Sequence, residues 1–172
     1  MNVSFTPITT AEDRRKLADM AYEIWNEYWP PLIGQAQVDY MVANFQSLEA
    51  IERDIAEHAY EYWFIEVEED GKTRIAGYTG GHVEPETNRF FISKIYLLAH
   101  ERGNGFASKT IRHYEQLCAD RGLSAMYLTV NKHNELAIRA YLGKGFETID
   151  SVETDIGEGF IMDDFIMEKK LA

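Results

Sequence analysis

Apolar positions along the chain change their spacing several times, and each change predicts a change of element. Residues 3–8 have the composition of a short strand. Residues 17–28 and 38–55 then carry apolar side chains at intervals of three and four, which predicts two or three helices. Pro30-Pro31 should end the first of these helices, and Ser47 can cap the last one.

From residue 60 onward the pattern is that of strands with two helices among them. Strands are predicted over 60–67, 75–83, 89–98, 125–130, 146–153 and 160–168, and helices over 103–121 and 134–144. Asp70-Gly71 is a strong hairpin signal, and Gly80-Gly81 inside a strand indicates a bulge or a close backbone approach. This order predicts an α/β (α+β) fold with a mixed, mostly antiparallel sheet, in a single domain over residues 1–172.

Composition narrows the class of protein. The 172 residues include 29 acidic and 17 basic side chains, for a net charge of −12, which argues against nucleic-acid or anionic-membrane binding. Residues 1–90 carry 17 acidic and 7 basic side chains, whereas residues 91–172 carry 12 and 10. No signal peptide and no apolar run of the roughly 18 residues that span a bilayer is recognised. The single Cys118 excludes an internal disulfide and a multi-cysteine metal site, and it fits a cytoplasmic location.

A glycine-containing segment between a predicted strand and a predicted helix has the properties of an anion site. It consists of Arg102, Gly103, Asn104, Gly105, Phe106, Ala107 and Ser108. Small residues let a helix N-terminus approach a diphosphate, which the unpaired backbone N–H groups then bind. The Gly-Lys-Ser/Thr of a P-loop and the third glycine of a dinucleotide fingerprint are both absent. Alone, the segment fits a plain tight turn before a helix equally well.

A second segment has the pattern of a capped helix. Asn134 stands at the cap position, Ala137 and Tyr141 follow on the same face, and Gly145-Phe146 ends the helix. Alone, this segment indicates an ordinary helix with a packed tyrosine.

In combination, the two segments resemble the GNAT superfamily, the acetyl-CoA-dependent N-acetyltransferases. The family's pyrophosphate loop, Arg/Gln-x-x-Gly-x-Gly/Ala, matches Arg102-x-x-Gly105-x-Ala107, and its pre-loop strand is similar to Ile95-Tyr96-Leu97. The resemblance extends over residues 75–146, and the ending at 164–169 resembles the spermine/spermidine N-acetyltransferase branch. It implies a sheet of about seven strands, splayed between the fourth and the fifth, with about four flanking helices.

The resemblance also implies roles for individual residues. Acetyl-CoA would be the acetyl donor, and the residues implied to bind it are Tyr96, Leu97, Asn134 and the segment from Arg102 to Ser108. The backbone N–H of Leu97 would face the thioester oxygen. Tyr141 would be the general acid that protonates the departing thiolate. The acceptor is a primary amine, and the acidic first half of the chain favours a polyamine or another small cationic amine.

The general base is the least determined part of the site. An alkylamine with a pKa near 10.4 costs about 4.6 kcal/mol to neutralise at pH 7, so the reaction needs a proton acceptor. Some relatives carry a Glu on the fourth strand, where this chain has Ser93 and Lys94. His82 and Glu84 lie two residues apart, hence on one face of the preceding strand, and are the candidate bases. His82 is more readily explained as a hydrogen-bonded structural histidine beside Gly80-Gly81.

Several alternatives stay open at this stage. Trp25, Tyr28 and Trp29 can hold an amine cation or pack the first helix on the sheet. The acceptor can be a peptide N-terminus or an aminoglycoside instead of a small amine. A non-catalytic acyl-CoA-binding sensor would use the same scaffold without transfer, and the missing fourth-strand carboxylate is compatible with it. A homodimer is compatible with the fold, and no metal site is expected.

Overall fold

The computed structural model describes residues 1–171 and has seven strands and six α-helices in that range. The strands are β1 (Asn2–Pro7), β2 (Glu61–Glu69), β3 (Lys72–Glu84), β4 (Arg89–Leu97), β5 (Ala125–Asn131), β6 (Glu147–Gly157) and β7 (Phe160–Lys170). The α-helices are α1 (Ala11–Tyr28), α2 (Pro30–Ile33), α3 (Gln35–Met41), α4 (Leu48–Glu57), α5 (Phe106–Arg121) and α6 (Glu135–Gly143). The helices outnumber the expected four because residues 30–57 fold as three short helices with a π-helical segment, Val42–Gln46, among them.

The seven strands form one sheet in the order β1-β2-β3-β4-β5-β7-β6. β4 and β5 run parallel, whereas the pairs β1–β2, β2–β3, β5–β7 and β6–β7 are antiparallel. The mixed, mostly antiparallel sheet is therefore confirmed. The β4–β5 register covers four residue pairs, from Arg89 with Ala125 to Ile92 with Leu128. β4 continues to Leu97 and β5 to Asn131 after this register ends, which agrees with the expected splay.

The structure shows what the glycines at Asp70-Gly71 and at Gly80-Gly81 do. Asp70 and Gly71 join β2 to β3 with φ values of 54° and 75°, the positive values that a tight hairpin turn requires. At Gly80 the aromatic ring of Tyr62 crosses so closely that a Cβ would lie 2.6 Å from a ring carbon. Gly80 therefore makes room mainly for the Tyr62 ring, and the nearest backbone atom is the Glu61 carbonyl oxygen, 3.1 Å from the same Cβ position. The register shift lies instead at Ile65/Glu66 on β2.

The chain divides into two compact units. The first contains Met1–His82 and Lys94–His113, and the second contains Val83–Ser93 and the described residues from Tyr114 onward. β3, β4 and α5 each continue from one unit into the other. That residues 1–172 form a single domain stays a prediction.

Each unit has its own buried apolar side chains. In the first, Ile65, Val67, Ala76 and Phe106 form a cluster against which Leu97 packs. This packing fixes the end of β4 and the first residue of α5, between which the predicted anion-binding segment runs. In the second unit the buried residues include Met126, Leu128, Val130, Phe146 and Met167.

Candidate active site

The segment between β4 and α5 has the backbone geometry of an anion site. Gly103 and Gly105 have φ values of 84° and 81°, in the left-handed region that glycine adopts without strain. The first hydrogen bond of α5 runs from the Lys109 N–H to the Gly105 carbonyl. The N–H groups of residues 106–108 therefore have no acceptor within the helix, and they lie at its positive end. These residues fit a diphosphate group, as the sequence predicts.

Arg102, which opens the segment, is held by the rest of the first unit. Its guanidinium donates to both carboxylate oxygens of Glu27 at 2.7 and 3.2 Å and to the Leu97 carbonyl at 3.0 Å. It also lies 4.8 Å from the ring centre of Tyr28. Arg102 thus ties the end of β4 to the C-terminal turn of α1. Its partner Glu27 was not apparent from the sequence, because 75 residues separate the two.

A second ion pair fixes the residue just before this segment. Glu101 is 3% exposed, and Arg74 on β3 donates to its two carboxylate oxygens at 2.6 and 3.1 Å. The same guanidinium donates to Glu69 at 2.9 Å. These hydrogen bonds raise the pKa of Arg74 and lower that of Glu101. The anion-binding segment therefore starts from two anchored residues, Glu101 and Arg102.

Gly77 brings β3 unusually close to the end of β4. A Cβ at this position would lie 2.1 Å from the Tyr96 carbonyl oxygen and 2.9 Å from the Leu97 Cα. The N–H of Leu98 donates to the Ala76 carbonyl at 2.9 Å on the same pair of strands. Only a residue without a side chain leaves room for this backbone arrangement, which sets the position of Leu97.

The tryptophans of α1 pack against the sheet. Trp25 and Trp29 are 3% and 8% exposed, and their rings stack at 5.3 Å. Trp25 also meets the ring of Tyr96 at 5.6 Å, edge to face. Tyr28 faces Arg102, as described above. This geometry favours the packing interpretation of the three aromatic residues.

Lys94 is a buried cation in the first unit. It is 5% exposed, and its Nζ is 2.7 Å from the Tyr62 hydroxyl and donates to the Phe45 carbonyl at 3.3 Å. Burial lowers the pKa of the Lys94 ammonium to about 8, and Asp54 offsets only part of that effect. The hydrogen-bond partners of the Lys94 ammonium are thus a hydroxyl and a carbonyl, both of which are neutral.

The lowered pKa of Lys94 predicts a pH-dependent stability. Between pH 8 and pH 10.5 the unfolded chain binds a proton that the folded chain does not, so stability rises with pH. Wild type is expected to gain roughly 3 kcal/mol relative to Lys94→Met over that interval, as measured by urea unfolding. The exposed Lys72→Met variant is the matched control and should follow wild type. Parallel curves for wild type and Lys94→Met would contradict the buried ammonium.

His82 and Glu84 have different surroundings. His82 is half-buried, and its ring lies 5.1 Å from that of Tyr60 in the first unit. In the second unit Glu84 accepts hydrogen bonds from Thr87, Tyr127 and Arg89. These donors lower the pKa of Glu84, which makes it a weaker base than an exposed glutamate. Of the two candidates, the surroundings favour His82.

Helix α6 carries the remaining predicted residues. The Asn134 side chain accepts from the Ala137 N–H at 3.3 Å and caps the helix, and its own N–H donates to the Asn131 carbonyl at 2.9 Å. Tyr141, two turns further on, is half-buried and meets the ring of Phe146 at 5.6 Å. Within the second unit, the cap and the ring contact hold both ends of the helix in place.

The sequence interpretation missed one residue with unusual surroundings, Asp164 on β7. It is 6% exposed, and burial raises the pKa of its carboxyl to about 6. The available signal was a pair of acidic residues, Asp163-Asp164, between two apolar runs at 160–162 and 165–167.

Comparison with protein families agrees with this geometry. A model described as the acetyltransferase (GNAT) family matches residues 18–146. The chain belongs to the GNAT family. It is therefore an N-acetyltransferase whose acetyl donor is acetyl-CoA, and whose acceptor is a small-molecule amine. No curated protein matches this GNAT chain.

Solved structures share the fold at low sequence identity. One is the PaiA N-acetyltransferase from Thermoplasma acidophilum in complex with coenzyme A, with a TM-score of 0.77, 19% identity and 99% of each chain covered. Another is the spermidine/spermine N-acetyltransferase SpeG from Vibrio cholerae, with a TM-score of 0.66, 16% identity, and 98% and 92% of the two chains covered. A third is described as a phosphinothricin N-acetyltransferase, with a TM-score of 0.70, 14% identity and 99% of each chain covered. Among the described residues of this GNAT chain, no helix is long and apolar enough to cross a membrane.

Proposed function

We propose that this GNAT enzyme transfers the acetyl group of acetyl-CoA directly to the primary amine of a small cationic molecule, with a polyamine as the first acceptor to test. Binding of acetyl-CoA is supported above all by the backbone of the segment from Arg102 to Ser108. Two glycines with positive φ lead there into the N–H groups at the start of α5, which have no acceptor within the helix. A cationic acceptor is supported by the excess of acidic side chains in residues 1–90.

On the donor side, Gly103, Asn104, Gly105, Phe106, Ala107 and Ser108 hold the pyrophosphate through backbone N–H groups. Arg102 keeps the segment in position through Glu27, while Tyr96, Leu97 and Asn134 hold the pantetheine arm. Acetyl-CoA supplies an activated acyl group, whose thioester carbonyl is attacked by the amine.

Two residues act on the charges that develop during transfer. The Leu97 N–H donates to the thioester oxygen, where negative charge accumulates as the amine attacks. The Tyr141 hydroxyl donates its proton to the thiolate as the carbon–sulfur bond breaks. His82 takes up a proton on the acceptor side, directly or through water, and Glu84 is the weaker candidate because three donors already stabilise its ionised form.

The acceptor class is tested by a panel assay. Spermidine, an aminoglycoside and a short peptide with a free N-terminus are each supplied with acetyl-CoA, and kcat/KM is measured from thiol release. The proposal expects spermidine or another small alkylamine to exceed the peptide and the aminoglycoside by at least tenfold. A higher kcat/KM for the peptide or the aminoglycoside would replace the polyamine with that acceptor, within the same reaction.

The proposal also covers the location, the binding partners and the oligomeric state of the enzyme. A cytoplasmic location is supported by the single, buried cysteine. The net charge of −12 supports a role without nucleic-acid or membrane binding. A homodimer is part of the proposal, and the molar mass in solution, compared with 19.8 kDa for one chain, tests it.

A further inference from the structure

The carboxylate of Glu27 lies beside the end of β4, where the acetyl group is proposed to react. One nitrogen of Arg102, Nη2, donates to Glu27 Oε2 at 2.7 Å and to the Leu97 carbonyl at 3.0 Å. Because the two oxygens share this donor, they lie within two hydrogen-bond lengths of each other. All three residues belong to the first unit. Glu27 is therefore a neighbour of Leu97, whose N–H is the proposed donor to the thioester oxygen.

Arg102 leaves part of the Glu27 carboxylate open to a second cation. The guanidinium donates once to each oxygen, at 2.7 and 3.2 Å, whereas an ionised carboxylate can accept about four hydrogen bonds. The Glu27 side chain is 46% exposed, and within residues 1–171 no other hydrogen bond or ion pair reaches its carboxylate. The remaining acceptor positions of Glu27 can therefore bind a ligand that arrives from solvent.

The C-terminal end of α1 carries further negative charge. Since Pro30-Pro31 has no backbone N–H, the carbonyls of Asn26 and Glu27 lack the donors that a continuing helix would supply. These carbonyls belong to the negative end of the helix dipole, and the last turn holds no basic residue. Glu23, one turn earlier on the same face, has no ion-pair partner within residues 1–171. This end of α1 therefore favours a cationic ligand.

We infer that Glu27 binds a second ammonium group of the acceptor, one that is not acetylated, and thereby makes the enzyme selective for diamines and polyamines over monoamines. The inference rests on the proposed amine acetylation and names a residue that determines its acceptor class. The second ammonium donates to the exposed side of the Glu27 carboxylate, while the reacting nitrogen reaches the thioester carbonyl beside Leu97. The closeness of Glu27 to Leu97 suits two amines that are joined by a short alkyl chain.

The test uses two acceptors that differ only in the second amine, putrescine and butylamine, with wild type and with Glu27→Gln. In wild type, kcat/KM for putrescine should exceed that for butylamine by about tenfold or more, the effect of one charge-assisted hydrogen bond. In Glu27→Gln the ratio should fall to about two, because putrescine still offers two equivalent amines. Thiol release measures both values.

The ratio separates acceptor binding from the role of Glu27 as the partner of Arg102. If Glu27 serves only Arg102, its replacement lowers kcat/KM equally for both amines and leaves their ratio unchanged, which would overturn the inference. Glu12→Gln is the matched control, since Glu12 lies in the first turn of the same helix with its side chain 82% exposed, and it should keep the wild-type ratio.

The wild-type measurements alone distinguish failure of this inference from failure of the proposed function. Equal use of putrescine and butylamine by wild type would overturn the inference and leave amine acetylation standing. Wild type that binds acetyl-CoA but acetylates no amine would overturn both.

Discussion

Replacing Tyr141 with phenylalanine is expected to lower kcat by about 10²–10³-fold, because the change removes the proposed proton donor to the thiolate. The phenyl ring keeps the contact with Phe146 at 5.6 Å, so the melting temperature should change little. The KM for acetyl-CoA should stay within about twofold, since the hydroxyl acts as sulfur leaves and not when the donor binds. Steady-state kinetics by thiol release give both numbers.

The control for this variant is Tyr22→Phe, which removes a hydroxyl from a tyrosine that is 63% exposed on α1. It should match wild type in kcat and in stability. If Tyr141→Phe also keeps the wild-type kcat, Tyr141 is not the acid, and the thiolate receives its proton from another group or from water.

Replacing Gly77 with alanine should damage both activity and stability. The new Cβ would lie 2.1 Å from the Tyr96 carbonyl oxygen, which is backbone and cannot rotate away. The end of β4 must therefore shift, and with it the proposed oxyanion donor on Leu97. We expect kcat/KM to fall by about 10²-fold, since small displacements of a catalytic group have effects of that size. The free energy of unfolding should fall by about 2–3 kcal/mol from overpacking.

Gly143→Ala is the matched control for the Gly77 variant. Gly143 ends α6, its φ is not positive, and no atom lies within 4 Å of the position that an alanine Cβ would take. Alanine there should keep the activity and add about 0.5–1 kcal/mol of stability, since glycine is a poor helix former. If Gly77→Ala keeps wild-type activity and stability, β3 and β4 can move apart at this point without harm, and the prediction is wrong.

The sequence predicted those parts of the fold that depend on local rules. Asp70-Gly71 forms the expected turn because the required positive φ values suit those residues. The segment from Gly103 to Ser108 has the expected backbone for the same reason. Asn134 caps α6 as predicted, because a cap needs only a side-chain oxygen next to the first helical turn.

The parts that sequence reasoning missed depend on residues distant in the chain. Arg102 was expected to belong to the segment that binds acetyl-CoA, yet Glu27, 75 residues earlier, holds its guanidinium. The donors that make Glu84 a weak base are only partly local, since Thr87 and Arg89 lie within five residues of it and Tyr127 lies 43 residues away. The neighbours of Asp164 in the sheet, Asn131 and Val152, depend on the registers of β5 and β6, which periodicity alone does not specify.

The most direct test of the account is amine-dependent release of coenzyme A. Purified protein is supplied with acetyl-CoA, with and without spermidine or the best amine of the panel, while free thiol is measured and the amine is analysed by mass spectrometry. The account predicts thiol release that requires the amine and an equal amount of singly acetylated product. Stabilisation by acetyl-CoA without thiol release or acetylated product, for every amine in the panel, would contradict it.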